Sequence, residues 1–274
     1  MIDLKRLFGA MSLPAAPSAD FRRMLEWKLL RGSHEFPGPD GGTCVNEAAI
    51  VVAGYPYRAV YSVKDLPASF SRPIAMLALC LNDTLADELR QELLAPFVMR
   101  LAGSADTAKV EMMRAQLIHE RIVSDILIPA VMRHGNAELA GRCRSLGSPA
   151  ELAELTGCLR AGGDHRPLPR SLISALGHAA DAAVQGRAGQ LTELVFCAFL
   201  AIRDVAALDA DDRGRNVYRQ AVKVLEAAAE IGNQADANGG DIVRERMNAA
   251  KRPPKTGLSK TVRMPAHSGG FLAA

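Results

Sequence analysis

The sequence predicts a mostly α-helical protein. Apolar residues recur at three- and four-residue steps through most of the chain, which is the pattern of amphipathic helices. Aromatic residues are only 5% of the 274, and the hydrophobic 49% is carried mainly by Ala, Leu, Val, Ile and Met. A single stretch, YPYRAVYSV at 55–63, has the composition of a strand or hairpin. We therefore predict a bundle-like body of orthogonal or antiparallel helices, at most one small β-hairpin, and a disordered C-terminal tail.

Capping residues, glycines and prolines divide the chain into successive elements. A helix is predicted from Asp20 to Gly32, where the glycine ends it. A glycine-rich loop then leads, through Thr43 as N-cap, into the short buried helix VNEAAIVVAG. Pro96 and Pro129 each kink or break the helix that contains them. Further helices are predicted to begin at Ser71, Thr84 and Thr107 and to occupy 136–146, 149–160, 171–185, 188–208 and 215–231.

The loop at 161–170, AGGDHRPLPR, is the best candidate for an internal boundary. We predict an N-terminal helical region at 1–161 and a C-terminal helical hairpin region at 170–232. The two regions either form separate units or share one core, and both alternatives stay open. The segment 233–274 is rich in Gly, Pro and Asn and poor in apolar periodicity, so it is expected to be a flexible basic tail.

Composition excludes some classes of protein. With 33 Lys and Arg against 30 Asp and Glu, the net charge of +3 does not by itself indicate a nucleic-acid binder. No run approaches the ~18 apolar residues of a membrane span, and the N-terminus lacks an apolar core of signal-peptide length. The five cysteines are spread singly, without a CxxC motif. Single, unpaired cysteines of this kind are typical of proteins whose thiols stay reduced. We therefore predict a cytoplasmic location with no membrane association.

The densest cluster of reactive residue types is His34, Glu35, Asp40, Cys44 and Glu47, of which the four other than Glu35 are the candidate site residues. A cysteine at the start of a helix lies in the positive field of the helix N-terminus, which favours the thiolate. A neighbouring histidine can act as its base, and a carboxylate can orient that histidine, as in thiol hydrolases. The chain offers almost no downstream sheet of the kind that carries the histidine in those folds. The alternative is that Cys44 is a packed thiol at the head of a buried helix.

The same four residues carry atoms suited to zinc, but no pair has a recognised ligand spacing. The sequence contains no G-x-G-x-x-G, Walker, G-x-S-x-G or HExxH motif. We therefore predict no cofactor and no metal.

The tail is a second candidate site. Its basic residues are interleaved with Pro, Ser and Thr, and they can neutralise phosphates or an acidic protein surface. Aromatic residues for base stacking are missing until Phe271. The candidate partner-binding residues are Lys251, Arg252, Lys255, Lys260 and Arg263.

The segment SHEFPGPDGGTCVNEA at 33–48 resembles a group of bacterial hypothetical proteins. The likeness continues through FSRPI at 70–74, LND at 81–83 and PFVMRL at 96–101, so it covers about the first 105 residues. Members of the group often carry a cysteine where this chain has Ala68 and Ser69, which argues against a paired-thiol or metal site. The resemblance implies a recurring module around the His-to-Cys loop and no particular activity.

The sequence is compatible with two main functional classes and with a third, less favoured one. The first is a non-enzymatic helical protein for protein interaction or regulation, through a protein partner or self-association. The second is a thiol-dependent hydrolase or metal-assisted enzyme that uses His34, Cys44 and Glu47. The third is a nucleic-acid-associated protein that binds through the tail. A buried Cys44 favours the first class, and an accessible thiol of low pKa favours the second.

Overall fold

The computed structural model describes residues 28–34, 42–134, 137–145, 151, 154–155, 157–158, 168–209 and 214–232. Within these ranges the chain is mostly helical, which confirms the predicted fold class. The elements are β1 (Lys28–Leu29), β2 (Gly42–Thr43), α1 (Val45–Val52), α2 (Arg72–Thr84), α3 (Asp87–Leu94), α4 (Phe97–Leu101), α5 (Ala108–Arg121), α6 (Ile128–His134), α7 (Ala137–Ser145), α8 (Arg170–Arg187), α9 (Leu191–Ala206) and α10 (Arg215–Ala229).

The two short strands form a parallel pair. Lys28 lies opposite Gly42 and Leu29 opposite Thr43. The pairing continues through a 2.9 Å hydrogen bond from the Leu30 amide to the Thr43 carbonyl. The predicted helix through Leu29 and Leu30 is therefore wrong. Their apolar spacing fits a helix, but partners distant in sequence, Thr43 and the side chain of Gln91, bind this backbone instead.

The segment predicted as a hairpin, 55–63, contains no strand. It runs without regular structure to Ser62, which caps a single 3₁₀ turn at Val63–Asp65. The physical reason is a competing partner: the Val60 amide donates to the Glu47 carboxylate rather than to a neighbouring strand. The Tyr57 hydroxyl of this segment likewise donates to Glu47, and the Tyr55 hydroxyl shares a hydrogen bond with Ser69 Oγ at 3.1 Å.

A shared apolar core joins the N-terminal and C-terminal helices. Helix α1 is buried along its whole length and packs against α2 and α4. Helix α9, which forms a hairpin with α8, packs against α2 and α5, and α10 packs against α5 and α2. The buried residues of 170–232 thus belong to the same core as those of α1 and α2.

Helices α5 and α6 are joined without a loop by a π turn at Ile122–Leu127. Its wide turn is visible in the Ile128 amide, which donates to Val123, five residues earlier. Pro129 follows directly and has no N–H, so it cannot complete an ordinary helical bond to the preceding turn. Pro129 was predicted to interrupt the helix, and the π turn is the form that the interruption takes. The result is one long helix, 108–134, with an extra residue in the middle.

Two buried arginines hold helix ends in place. Arg90 is 1% exposed and donates to the carbonyls of Asn82 at 2.6 Å and Leu85 at 2.5 Å, which end α2. Thr84 is therefore the last residue of α2 and not, as predicted, the beginning of the next helix. Arg114 is fully buried and binds the Ile231 carbonyl through two nitrogens, at 2.8 and 3.1 Å, just after α10. Both side chains satisfy carbonyls that a helix C-terminus leaves without partners.

Candidate functional site

Cys44 is the N-cap of α1 and is 0% exposed. Its sulfur accepts a hydrogen bond from the Glu47 amide at 3.4 Å. In return the Glu47 side chain accepts from the Cys44 amide at 2.8 Å, which completes a capping box with cysteine in the place usually taken by Ser or Thr. Thr43, which was predicted to be the N-cap, lies one residue earlier in β2. The thiol is a structural group of the helix start.

Glu47 is the centre of the cluster and is also fully buried. Its carboxylate has no Lys or Arg partner among the ion pairs of the described residues, and six hydrogen-bond donors surround it instead. Oε1 accepts from Ser33 Oγ at 2.8 Å, the His34 amide at 2.9 Å and the Val60 amide at 3.0 Å. Oε2 accepts from the Cys44 amide at 2.8 Å, the Tyr57 hydroxyl at 3.0 Å and Thr43 Oγ1 at 3.2 Å. This carboxylate therefore joins two loop segments, 33–34 and 57–60, to the start of α1.

The electrostatics of the cluster oppose a reactive thiol. Burial raises the pKa of Cys44 well above its ordinary value, and the nearby Glu47 charge raises it further. Burial also raises the pKa of Tyr57, with a smaller contribution from Glu47. The helix N-terminus favours a thiolate, but in this setting desolvation outweighs it. At neutral pH Cys44 is a protonated thiol.

Asn82 supports the cluster from α2. It is 0% exposed, and its Oδ1 accepts from the Val45 amide at 3.2 Å while its Nδ2 donates to the Leu30 carbonyl at 2.9 Å. One side chain thus holds the first turn of α1 against the segment that follows β1. Sequence reasoning missed this role, because Asn82 stands just before the helix start predicted at Thr84 and nothing local to it indicates a partner in α1.

The predicted site residues meet only in part. His34 lies beside Glu47, but through its backbone: its amide donates to Glu47, and its carbonyl lies 3.0 Å from the Tyr57 hydroxyl, whose single proton is shared between this carbonyl and Glu47. Its ring Nε2 is buried and has no hydrogen-bond partner among the described residues. Asp40 lies outside the described residues, as do the tail candidates Lys251, Arg252, Lys255, Lys260 and Arg263. Within the described ranges no three His, Cys, Asp or Glu side chains are grouped as metal ligands.

A second feature, on the long helix 108–134, was not predicted. Side chains on its outward side include Met113 and Met132, which are 43% and 44% exposed. Near the C-terminal end an open groove is lined by Ser124, Ile128, Pro129, Met132 and Arg133. We call the outward row of six residues the outer face: Met113, Leu117, Arg121, Ser124, Ile128 and Met132. The alternation of apolar and polar residues along 108–126 is visible in the sequence. The extra residue in the π turn, however, changes which of the following residues face outward.

Neither a family model, nor a curated protein, nor a solved structure matches this chain. Among the helices that the structure describes, none is long and apolar enough to cross a membrane.

Proposed function

We propose that this protein is a non-enzymatic helical interaction protein and that the outer face of the long helix is its docking surface. The observation that carries the proposal is the row of exposed and half-exposed apolar side chains beside an open groove. Methionine is unbranched and polarisable, so it adapts to differently shaped partners and is common on binding surfaces. A single exposed apolar residue would mean little, but here Met113 and Met132 are exposed on one rigid element, and Leu117 and Ile128, which are partly buried against the core, lie between them in the chain.

The use of Cys44 and Glu47 supports a non-enzymatic function. A nucleophile must be reachable and partly ionised, whereas Cys44 is fully buried and its pKa is raised. The Glu47 oxygens are already bound by six donors, three on each. Neither residue has capacity left for a substrate, so the cluster serves to fix the fold around α1.

The basic tail adds a second contact in this proposal. Lys251, Arg252, Lys255, Lys260 and Arg263 supply positive charge, and no acidic residue follows Glu245 in the chain. Such a segment strengthens association with an acidic partner and makes it weaken as salt rises. The tail contributes affinity, and the outer face contributes specificity.

Photo-crosslinking in living cells tests the proposal. A benzoylphenylalanine at Met132 should yield a discrete covalent adduct with another polypeptide. The control is the same amino acid at Tyr61, which is 71% exposed and lies outside the long helix, in the 55–62 segment. The proposal fails if Met132 yields no discrete adduct while the protein is folded, or if Tyr61 yields the same adduct.

A further inference from the structure

We infer that the loop at 55–64 is a binding surface for single-stranded nucleic acid. We call this segment, YPYRAVYSVK, the tyrosine loop. It holds three of the four tyrosines of the chain and two basic residues, and it has no acidic residue. Exposed aromatic rings stack on bases, while basic side chains neutralise the phosphates between them. The inference goes beyond the proposed function and does not depend on docking at the outer face.

Two tyrosine rings of the loop are open to solvent. Tyr61 is 71% exposed, the highest value among the large hydrophobic side chains that the structure describes. Within the described ranges its hydroxyl has no hydrogen-bond partner. Tyr55 is 39% exposed, and its hydroxyl is held by Ser69 Oγ at 3.1 Å, so the ring has a fixed position and stays partly accessible. Both rings therefore offer a surface on which a base can stack.

The basic side chains of this surface face each other rather than a carboxylate. Arg58 is exposed and forms no ion pair within the described ranges. Burial lowers the pKa of Arg72, and the charge of Arg58 lowers it further, against an opposing effect of Glu111. Glu111 is itself bound by Ser71 and by Arg114 at 2.9 Å. A phosphate placed beside Arg58 would relieve the repulsion between the two guanidinium groups.

The stretch of chain around the loop carries little negative charge. Between Glu47 and Asp83 there are three basic residues and a single acidic one, Asp65. Its Oδ2 accepts from the amides of Tyr61 and Ser62 at 3.0 and 2.8 Å, so this carboxylate shapes the turn that ends the loop. The net charge of the stretch stays positive, which favours an anionic ligand.

The backbone of the loop is held in place although it has no regular structure. The Val60 amide donates to Glu47 at 3.0 Å, and Arg72 binds the carbonyls of Val63 and Leu66 at 2.6 and 2.9 Å. Side chains on a fixed backbone lose less freedom when a ligand binds. The basic tail differs from this loop, because it has no aromatic residue before Phe271.

Fluorescence anisotropy tests the inference on the purified full-length chain at low salt, with a labelled single-stranded oligothymidylate of about 20 nucleotides. Tyr61→Ala should weaken the affinity about tenfold, and Tyr61→Phe should keep it, because stacking needs the ring and not the hydroxyl. Arg58→Ala should weaken the affinity about fivefold and reduce the salt dependence by about 0.7 in log K per log salt, the value for one phosphate contact on a single strand. An oligouridylate of the same length shows whether RNA or DNA binds more tightly, and binding of either supports the inference.

The matched controls are Phe196→Ala and Arg187→Ala, which remove an exposed ring from α9 and an exposed cation from α8. Each should change the affinity by less than about twofold, and all variants should melt at the temperature of the parent chain. Equal losses of affinity in a control and in its loop counterpart would overturn the inference, as would the absence of binding.

Two further results would also overturn it. An affinity unchanged by both Tyr61→Ala and Arg58→Ala would assign the binding to the basic tail. Competition by polyglutamate as strong as that by the unlabelled oligonucleotide would assign the loop to an acidic protein.

Discussion

The Cys44 amide donates to Glu47 Oε2 at 2.8 Å, and the Glu47 amide donates to the Cys44 sulfur at 3.4 Å. This reciprocal pair starts α1, and five further donors bind the same carboxylate, four of them from loops on either side. Cys44 and Glu47, which resemble part of a catalytic cluster in the sequence, are therefore engaged in holding the fold. The docking surface that we propose lies elsewhere, on the long helix.

Glu47→Gln should destabilise the protein by about 1–3 kcal/mol or more. An amide nitrogen in the place of Oε2 faces the Cys44 N–H, and one in the place of Oε1 faces the His34 and Val60 N–H groups, so at least one backbone donor loses its acceptor. Each unsatisfied group costs about 1–3 kcal/mol, whereas the hydroxyl donors can turn and accept. Urea unfolding measures the loss. The control is Glu92→Gln, which removes an exposed ion pair with Arg219 and should change stability by less than about 1 kcal/mol. Equal losses of unfolding free energy in the two variants would show that the buried carboxylate stabilises the protein no more than an exposed ion pair does.

Stability should fall at alkaline pH because of Cys44. In the folded protein its pKa is raised, so it keeps its proton, while in the unfolded chain it ionises above pH ~8.5. The unfolded state therefore binds fewer protons, and the free energy of unfolding decreases by about 1.4 kcal/mol per pH unit above that value. Cys44→Ser does not titrate and should show a shallower decline between pH 8 and 10. Parallel declines in the two proteins would contradict the burial of this thiol.

Arg114→Lys should loosen the end of α10. The guanidinium binds the Ile231 carbonyl twice and Ser104 at 2.6 Å, and an ammonium cannot reproduce that fork. We expect a loss of about 2–4 kcal/mol, since buried donors and acceptors are left unpaired. Amide hydrogen exchange should accelerate most at 226–231. A uniform change over the whole protein, without that local maximum, would argue against the capping role.

Gly214→Ala should cost more than Gly189→Ala. Both glycines have positive φ, +68° and +73°, so both substitutions carry the left-handed strain of about 1–2 kcal/mol. A Cβ at Gly214 would also lie 2.5 Å from Ala206 Cβ and 3.0 Å from its backbone, whereas nothing lies within 4 Å of one at Gly189. The difference between the melting temperatures of the two variants measures the steric contribution of the contact with Ala206, because the backbone strain is similar in both. Equal melting temperatures would mean that α9 and α10 are not packed this closely.

Much of the helical body could be predicted from the sequence, because apolar periodicity and local caps determine it. Ser71 and Thr107 do precede α2 and α5, and Pro96 does separate α3 from α4. The errors at Leu29 and at 55–63 have one cause. In both places the backbone is bound by groups distant in sequence, Thr43 and Gln91 in one case and Glu47 in the other. No local pattern contains that information.

The sequence drew attention to Cys44 and Glu47, and a packed thiol at the head of a buried helix was one of the two alternatives for Cys44. Glu47 one turn after Cys44 was visible in the sequence, while its six donors come from segments spread over 33–60. The outer face was missed because its period changes at the π turn. A count of three- and four-residue steps continues through Leu127 and Val131, which are buried.

The most direct test of the account is the alkylation of Cys44 in the native protein as a function of pH, with the other four cysteines replaced. A buried, protonated thiol at a helix cap should react only as fast as the protein opens, and denaturant should accelerate the reaction greatly. We expect this slow labelling, limited by the opening of the protein. Rapid labelling of the folded protein, with a thiolate titrating well below pH ~8, would contradict it and restore Cys44 as a nucleophile.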